Sequence, residues 1–244
     1  MNRFYQKLLL SLFSLVAITF NAVAVEVIEL PSTSSNKVII KLRFDNGSKS
    51  DPKGKEGLTV ATANLMASGD TKQNSYSDIQ QILMPMAARF GVKVDKEVTT
   101  FTFTVHNDFL NEFYQVTKDL LLAPAFTEKD FTRLNDQQQN FVDQSIRASS
   151  DEEYSKKALE HLLFRGTNYQ HLLQGTSESV KTISVEDIKA HYKNMFTRNN
   201  LTIGIAGNYS AEFLAQLKQD MQQLSGVKPA IPASGKANQP DGVN

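Results

Sequence analysis

Two stretches of the chain alternate between apolar and polar residues, the pattern of a β-strand with one face in water. In residues 38–44 the even-numbered positions are all apolar, whereas Lys41 and Arg43 occupy odd-numbered positions. In residues 100–105, two phenylalanines and a valine alternate with three threonines. Both stretches are therefore predicted to be strands that lie on a hydrophobic core. A strand at residues 92–94 is predicted to pair with the second, and a last strand is predicted at residues 201–205.

Between the strands, apolar residues recur every three or four positions, which predicts amphipathic helices that begin at capping residues. The predicted helices cover residues 57–69, 75–90 with Gly91 as the stop signal, 107–123, 127–149, 151–164, 184–196 and 210–224. Pro85 lies inside the second of these, so a kink or an early end is expected there. Strands that pair locally between runs of helices favour an α+β fold, with a mostly antiparallel sheet packed against several helices.

Residues 1–24 have the composition of an export signal. Arg3 and Lys7 form a short basic region, residues 8–20 are an apolar run, and residues 22–24 read Ala-Val-Ala, which suits signal cleavage. The run is shorter than the ~20 residues of a membrane-spanning helix. We predict cleavage after Ala24, secretion into a bacterial periplasm and no membrane span thereafter; the alternative is an uncleaved anchor.

The rest of the chain is predicted to form one domain over residues 25–225. Residues 226–244 are rich in Pro, Gly, Ala and Asn, which is typical of a disordered tail or an inter-domain linker. The chain has no cysteine, which excludes a disulfide framework and a cysteine-based metal site. It carries 26 basic and 26 acidic side chains, so the net charge predicts no basic face for nucleic acid.

Residues 57–71 join Gly-Leu, an apolar helix, and then Gly and Thr, after a loop at residues 51–56. This arrangement resembles the insulinase/pitrilysin (M16) family of metallopeptidases. Residues 121–124, 168–176 and 199–207 resemble later segments of that family, in the family's order. The resemblance covers most of the chain and implies an M16 domain of the LuxS/metallopeptidase-like α+β fold.

The family's zinc motif is degenerate in this sequence. In the family, the apolar helix carries His-x-x-Glu-His, whose histidines bind zinc and whose glutamate activates a water molecule. The matching residues here are Val60, Ala63 and Asn64, and none can play those roles. The family's third ligand, a glutamate, would fall in residues 135–140, which contain no Glu. We therefore predict no catalytic residue, no metal ligand and no cofactor.

One later segment imitates a ligand helix. Glu160 and His161 are adjacent, but neighbouring side chains on a helix diverge by about 100°, so they do not converge on one ion. We interpret the segment as an ordinary amphipathic helix with Leu159, Leu162 and Leu163 directed inward. The histidines complete the candidates: His106, His161, His171 and His191 lack metal-ligand spacing and are predicted to be surface or loop residues.

The resemblance implies three functional hypotheses. The first is a secreted, catalytically silent M16-like domain, the peptide-binding or structural half of an assembly with a zinc-bearing M16 subunit or a missing second M16 domain. An exposed sheet edge could then bind an extended peptide by strand addition. The second is an active zinc metallopeptidase with non-standard ligands, and the third is a stand-alone peptide-binding module. The sequence does not identify the peptide-binding residues.

Overall fold

Five strands form one mixed sheet. They are β1 (Glu26–Pro31), β2 (Lys37–Phe44), β3 (Arg89–Val94), β4 (Thr99–His106) and β5 (Leu201–Gly207), and their spatial order is β1-β5-β2-β4-β3. This arrangement is that of a computed structural model, which describes residues 25–145, 151–233 and 235. All neighbouring strands are antiparallel except β1 and β5, which run parallel. The predicted α+β fold with a mostly antiparallel sheet is confirmed.

Nine helices lie within the described residues. They are α1 (Leu58–Ser68), α2 (Tyr76–Leu83), α3 (Leu110–Thr117), α4 (Asp119–Leu122), α5 (Glu128–Asn140), α6 (Asp151–Leu163), α7 (Ser177–Thr182), α8 (Val185–Met195) and α9 (Ala211–Met221). The even-numbered apolar residues of β2 and the odd-numbered ones of β4 and β5 are buried. They share one core with residues of α1, α3, α8 and α9, so the helices cover the inward face of the sheet.

The elements differ from the prediction in three places. The helix predicted to reach residue 90 ends at Leu83, and the early end expected at Pro85 is confirmed, because Pro85 supplies no N–H and Ala87 turns the chain at φ 47°. As a result, residues 90 and 91 lie in β3 rather than at a helix end. Strand β1 and helix α7 do not follow from the sequence pattern at all. In place of the helix predicted over residues 127–149, the structure has α5 followed by a short π-helix at Phe141–Ser145. Residues 146–150 lie outside the described residues.

The inward orientation predicted for the leucines of α6 is wrong. Leu159 and Leu162 are each 53% exposed, and Leu163 is 48% exposed. Apolar spacing at three and four residues gives a helix an apolar stripe, but the stripe does not determine which element covers it. In the described part of the chain the stripe of α6 faces outward.

The first part of the predicted tail follows the body of the protein. The side chain of Arg198 donates to the carbonyl oxygens of Gln222 and Leu224, and Asn199 donates to Gly226. Further on, Asn168 donates to the carbonyl oxygen of Pro232. The domain limits and the linker role remain predictions, and residues 1–24, 234 and 236–244 lie outside the described residues. Among the described helices, none has the length and hydropathy needed to cross a bilayer.

Candidate functional site

Helix α1 begins at a buried carboxylate rather than at an ordinary cap. Gly57 precedes the helix at φ 97°, and a glycine has no side chain with which to cap it. Instead, the carboxylate of Asp51 accepts from the backbone N–H of Gly57 (2.7 Å) and from that of Thr59 (2.8 Å). The hydroxyl of Thr59 also donates to it, at 2.6 Å. Asp51 thereby satisfies two of the backbone N–H groups at the start of the helix, those of Gly57 and Thr59.

Asp51 is almost fully buried, and its burial raises the pKa of its carboxyl group to about 7, although the three hydrogen bonds act in the opposite direction. Burial raises a carboxyl pKa because the charged form loses its hydration. The start of α1 therefore contains a carboxyl group that changes protonation near neutral pH.

His191 lies beside this cap, and its predicted surface position is wrong. It is 5% exposed, and its Nε2 lies 3.0 Å from the Thr59 hydroxyl and 3.4 Å from Nδ2 of Asn46. Burial lowers the pKa of His191 to about 4, so the ring is neutral at neutral pH. The signal was in the sequence: His191 is three residues after Ile188 and four before Met195, on the buried side of α8.

Helix α5 is joined to the start of α1 by one amide. Nε2 of Gln138 donates to the carbonyl oxygen of Gly57 at 3.1 Å and to that of Gln174 at 2.8 Å. Gln138 is buried, so these bonds hold three segments together without solvent. The segment predicted to correspond to the family's third ligand thus faces the degenerate motif.

A cleft of about 320 Å³ opens between these helices. Its walls come from α1, α5 and the loops after α5 and before α7: Val60, Asn64, Ser68, Leu134, Gln137, Gln138, Phe141 and Gln174. The structure therefore places Val60 and Asn64 together in one cleft. Ala63, the third residue of the degenerate motif, is fully buried in the core.

These residues do not fit a zinc ion. Val60 offers no donor atom, and Asn64, Gln137 and Gln138 offer neutral amides where zinc prefers imidazole, thiolate or carboxylate. In the described residues, no three His, Cys, Asp or Glu side chains gather at one point. Carboxamides donate and accept hydrogen bonds, as a peptide backbone does, so the cleft has the chemistry to hold a peptide group.

The other candidate residues are dispersed. His161 is exposed on α6, where its Nε2 lies 2.9 Å from the side-chain nitrogen of Gln170. His106 ends β4, and the ring of His171 lies in the loop before α7, where burial lowers its pKa. Glu160 pairs with Lys157 at 3.0 Å. Sequence reasoning missed Asp51 and Thr59. The available signal was a polar residue, Asp51, shortly before a helix whose first residue follows a glycine, since a glycine cannot cap the helix with its side chain.

Known proteins resemble this chain in sequence. The profile of the insulinase family (peptidase family M16) matches residues 27–179. A non-peptidase homolog, YmxG, from Helicobacter pylori is 25% identical over 81% of this chain and 44% of its own length. A mitochondrial cytochrome b-c1 complex reductase subunit from Candida albicans is 28% identical over 87% of this chain and 45% of its own. The chain spans less than half the length of these curated relatives.

Solved structures share the fold. An inactive peptidase M16 domain from Pseudomonas fluorescens superimposes with a TM-score of 0.79 at 18% identity, over 89% of this chain and 52% of that one. A protease from Helicobacter pylori gives a TM-score of 0.71 at 14% identity, over 86% of this chain and 51% of that one. With a family profile matched over most of its length and this shared fold, the chain belongs to the insulinase (M16) peptidase family.

Proposed function

We propose that this protein is the non-catalytic half of an M16 assembly, in which it helps to hold an extended peptide for a zinc-bearing partner. One observation carries the proposal: the cleft keeps the arrangement of α1 facing α5 but is lined by Val60, Asn64, Gln137 and Gln138. Such a cleft can hydrogen-bond a peptide but has no group to activate water on zinc.

An open sheet edge lies beside α1, the helix that forms one wall of the cleft. Strand β3 pairs with β4 and with no other described strand, and α1 packs against it. The backbone N–H of Asp95 donates to the carbonyl oxygen of Val98, so residues 95 and 98 are a hydrogen-bonded pair of the hairpin. In an antiparallel pair such positions alternate, so residues 93, 91 and 89 are also hydrogen-bonded to β4. The N–H and C=O groups of residues 90, 92 and 94 therefore point away from β4, where an extended peptide could add as a sixth strand.

The names of the relatives support the partner. The Candida albicans relative is a subunit of the cytochrome b-c1 complex, and an Arabidopsis thaliana relative, 22% identical over 85% of this chain and 38% of its own length, is a probable beta subunit of the mitochondrial-processing peptidase. Both names describe parts of larger assemblies. We extend the same organisation to this chain, together with export to a bacterial periplasm through residues 1–24.

Purification of the protein from the native cell envelope tests the proposal. We expect an N-terminus at Val25, roughly one zinc or less per ten copies of this chain, and a co-purifying M16 protein with intact His-x-x-Glu-His. Peptide cleavage should require both proteins, because the partner supplies the zinc and this chain supplies half of the peptide-binding site.

Each alternative gives a different result. Stoichiometric zinc that a chelator removes, together with cleavage by this chain alone, would establish the active peptidase with non-standard ligands. A lone monomer that binds peptides without any M16 partner would establish the stand-alone binding module. An intact Met1 in the envelope fraction would contradict cleavage of the signal.

Blocking the β3 edge should weaken peptide binding. Val92→Pro removes an outward N–H from β3 without removing a bond to β4, so we expect about a tenfold loss of affinity for an extended peptide. The matched control is Glu29→Pro, which removes an outward N–H from the other edge strand, β1. Titration of a fluorescent peptide measures both, and thermal unfolding verifies that both variants fold. Equal affinities for the two variants would remove β3 from the peptide site.

A further inference from the structure

The outward face of the sheet is basic. Five exposed cations project from β2 and β3: Lys37, Lys41, Arg43, Arg89 and Lys93. Carboxylates near this face include Glu26 on β1, Asp45 paired with Arg43 at 2.9 Å, Asp108 at 3.4 Å from His106, and Glu97, which pairs with Lys49 and interacts with Arg43. The near-zero net charge did not predict a basic face; the charges are balanced over the chain but segregated on its surface.

Most of these cations lack a counter-ion. Among the described residues, the side chains of Lys37, Lys41, Arg89 and Lys93 form no salt bridge and no hydrogen bond. Unpaired cations on one face attract anions, because their fields add.

Two of the unpaired cations share a pocket of about 460 Å³ at one corner of the sheet. Lys37 pairs with His106 across β2 and β4, and Arg89 pairs with Thr104 across β3 and β4. All four line the pocket, with Met86, Ala87 and Val105. Two cations, a hydroxyl and an imidazole around one opening are groups that bind a phosphate.

Exposed apolar side chains lie near this corner and at the opposite edge of the sheet. Leu30, Ala206, Ile39, Thr104 and Arg89 form one row across the five strands, in which Leu30 is 66% exposed and Ile39 is 38% exposed. Met84, in the turn that leads to Ala87, is 77% exposed, and Phe109, whose ring centroid lies 6.5 Å from that of His106, is 38% exposed. Cations and projecting aliphatic side chains thus occupy one surface.

We propose that the outward face of the sheet docks on an anionic phospholipid bilayer, with a lipid phosphate in the Lys37–Arg89 pocket, Met84 inserted near the pocket, and Leu30 inserted at the opposite edge of the sheet. Surface cations and buried apolar area are the two contributions that hold proteins on anionic membranes. A bilayer suits the face better than an acidic protein does, because three of its five cations are lysines, which are depleted at protein–protein interfaces.

Vesicle flotation tests the proposal with the exported, purified chain. We expect binding to vesicles of phosphatidylcholine with phosphatidylglycerol, little binding to pure phosphatidylcholine, and a loss of binding as salt rises. The double variant Lys37→Glu with Arg89→Glu should bind at least about 25-fold more weakly, at about fivefold per cation removed. The matched control is Lys129→Glu with Lys193→Glu, which makes the same charge change on exposed positions of α5 and α8 and should change binding less than about twofold.

A second variant isolates the apolar contribution. Met84→Ser with Leu30→Ser keeps every charge and alters only exposed side chains, so it should fold and still bind more weakly than the wild type. Equal losses in the pocket variant and its control would overturn the assignment to this face. Binding to an acidic protein or to single-stranded DNA, without binding to anionic vesicles, would overturn the choice of a lipid surface.

Discussion

Gly175→Ala should destabilise the protein by about 3 kcal/mol or more, because it combines backbone strain with a steric clash. Gly175 has φ 83°, in the left-handed region, and a Cβ built on it would lie 2.0 Å from the carbonyl oxygen of Glu56. The added Cβ is fixed to the backbone of residue 175, and it meets the backbone of Glu56, so a change of side-chain rotamer cannot relieve the clash. Because Gln174 accepts from Gln138, the substitution should also open the cleft between α1 and α5.

The control is Gly54→Ala. Gly54 has nearly the same φ, 79°, but no atom lies within 4 Å of the position that a Cβ would take there. The Gly54→Ala variant should therefore lose only about 1 kcal/mol of unfolding free energy, the cost of placing an alanine at a positive φ. Urea unfolding of both variants measures the difference. If the two substitutions cost the same, the close approach of Gly175 to Glu56 does not exist in solution.

Asp51→Asn and His191→Gln should change the pH dependence of stability in opposite directions. The pKa of Asp51 rises from 3.8 to about 7 on folding, so the folded protein holds the extra proton in that window and stability falls as pH rises through it. The pKa of His191 falls from 6.5 to about 4, so the unfolded chain holds the extra proton and stability rises with pH. Between pH 4 and 6.5 the two contributions oppose each other.

Each substitution removes one of the two contributions. Relative to the wild type, Asp51→Asn should gain on the order of 4 kcal/mol between pH 4 and 7, and His191→Gln should lose on the order of 3 kcal/mol between pH 4 and 6.5. Urea unfolding at half-unit pH intervals gives the two difference curves. Curves that slope in the same direction would contradict the protonation states assigned to this buried cluster.

The elements that the sequence predicts are those whose partners are near in the chain or whose buried face is apolar throughout. Strand β2 is predictable because its even-numbered residues are all apolar and buried, and α8 because Ser184 and Asp187 form a capping box. Strand β1 escapes prediction because its parallel partner is the last strand. Its inward side carries Val27 and Glu29 while Ile28 and Leu30 point outward, so apolar and polar residues do not alternate along it.

The candidate site divides in the same way. Val60, Ala63 and Asn64 could be located in α1 because the helix and its glycines are local features. The spacing of His191 from Ile188 and Met195 is a local sign of its burial, but its contact with Thr59, 132 residues away, has no local sign. The exposed leucines of α6 fail for the opposite reason, since their spacing is that of a buried face and only the neighbouring elements decide whether it is covered.

The pairing of the first strand with the last has a consequence for how the domain assembles. Glu26 and Thr202 are 176 residues apart, and β1 contributes to the sheet through β5. Contacts of such long range form slowly, because a large loop must close before any pairing energy is recovered. A nascent chain that has not yet been synthesised as far as Gly207 has no partner strand for β1. The N-terminal strand therefore has no partner in the sheet until β5 has been synthesised, and we expect it to be the last strand to pair.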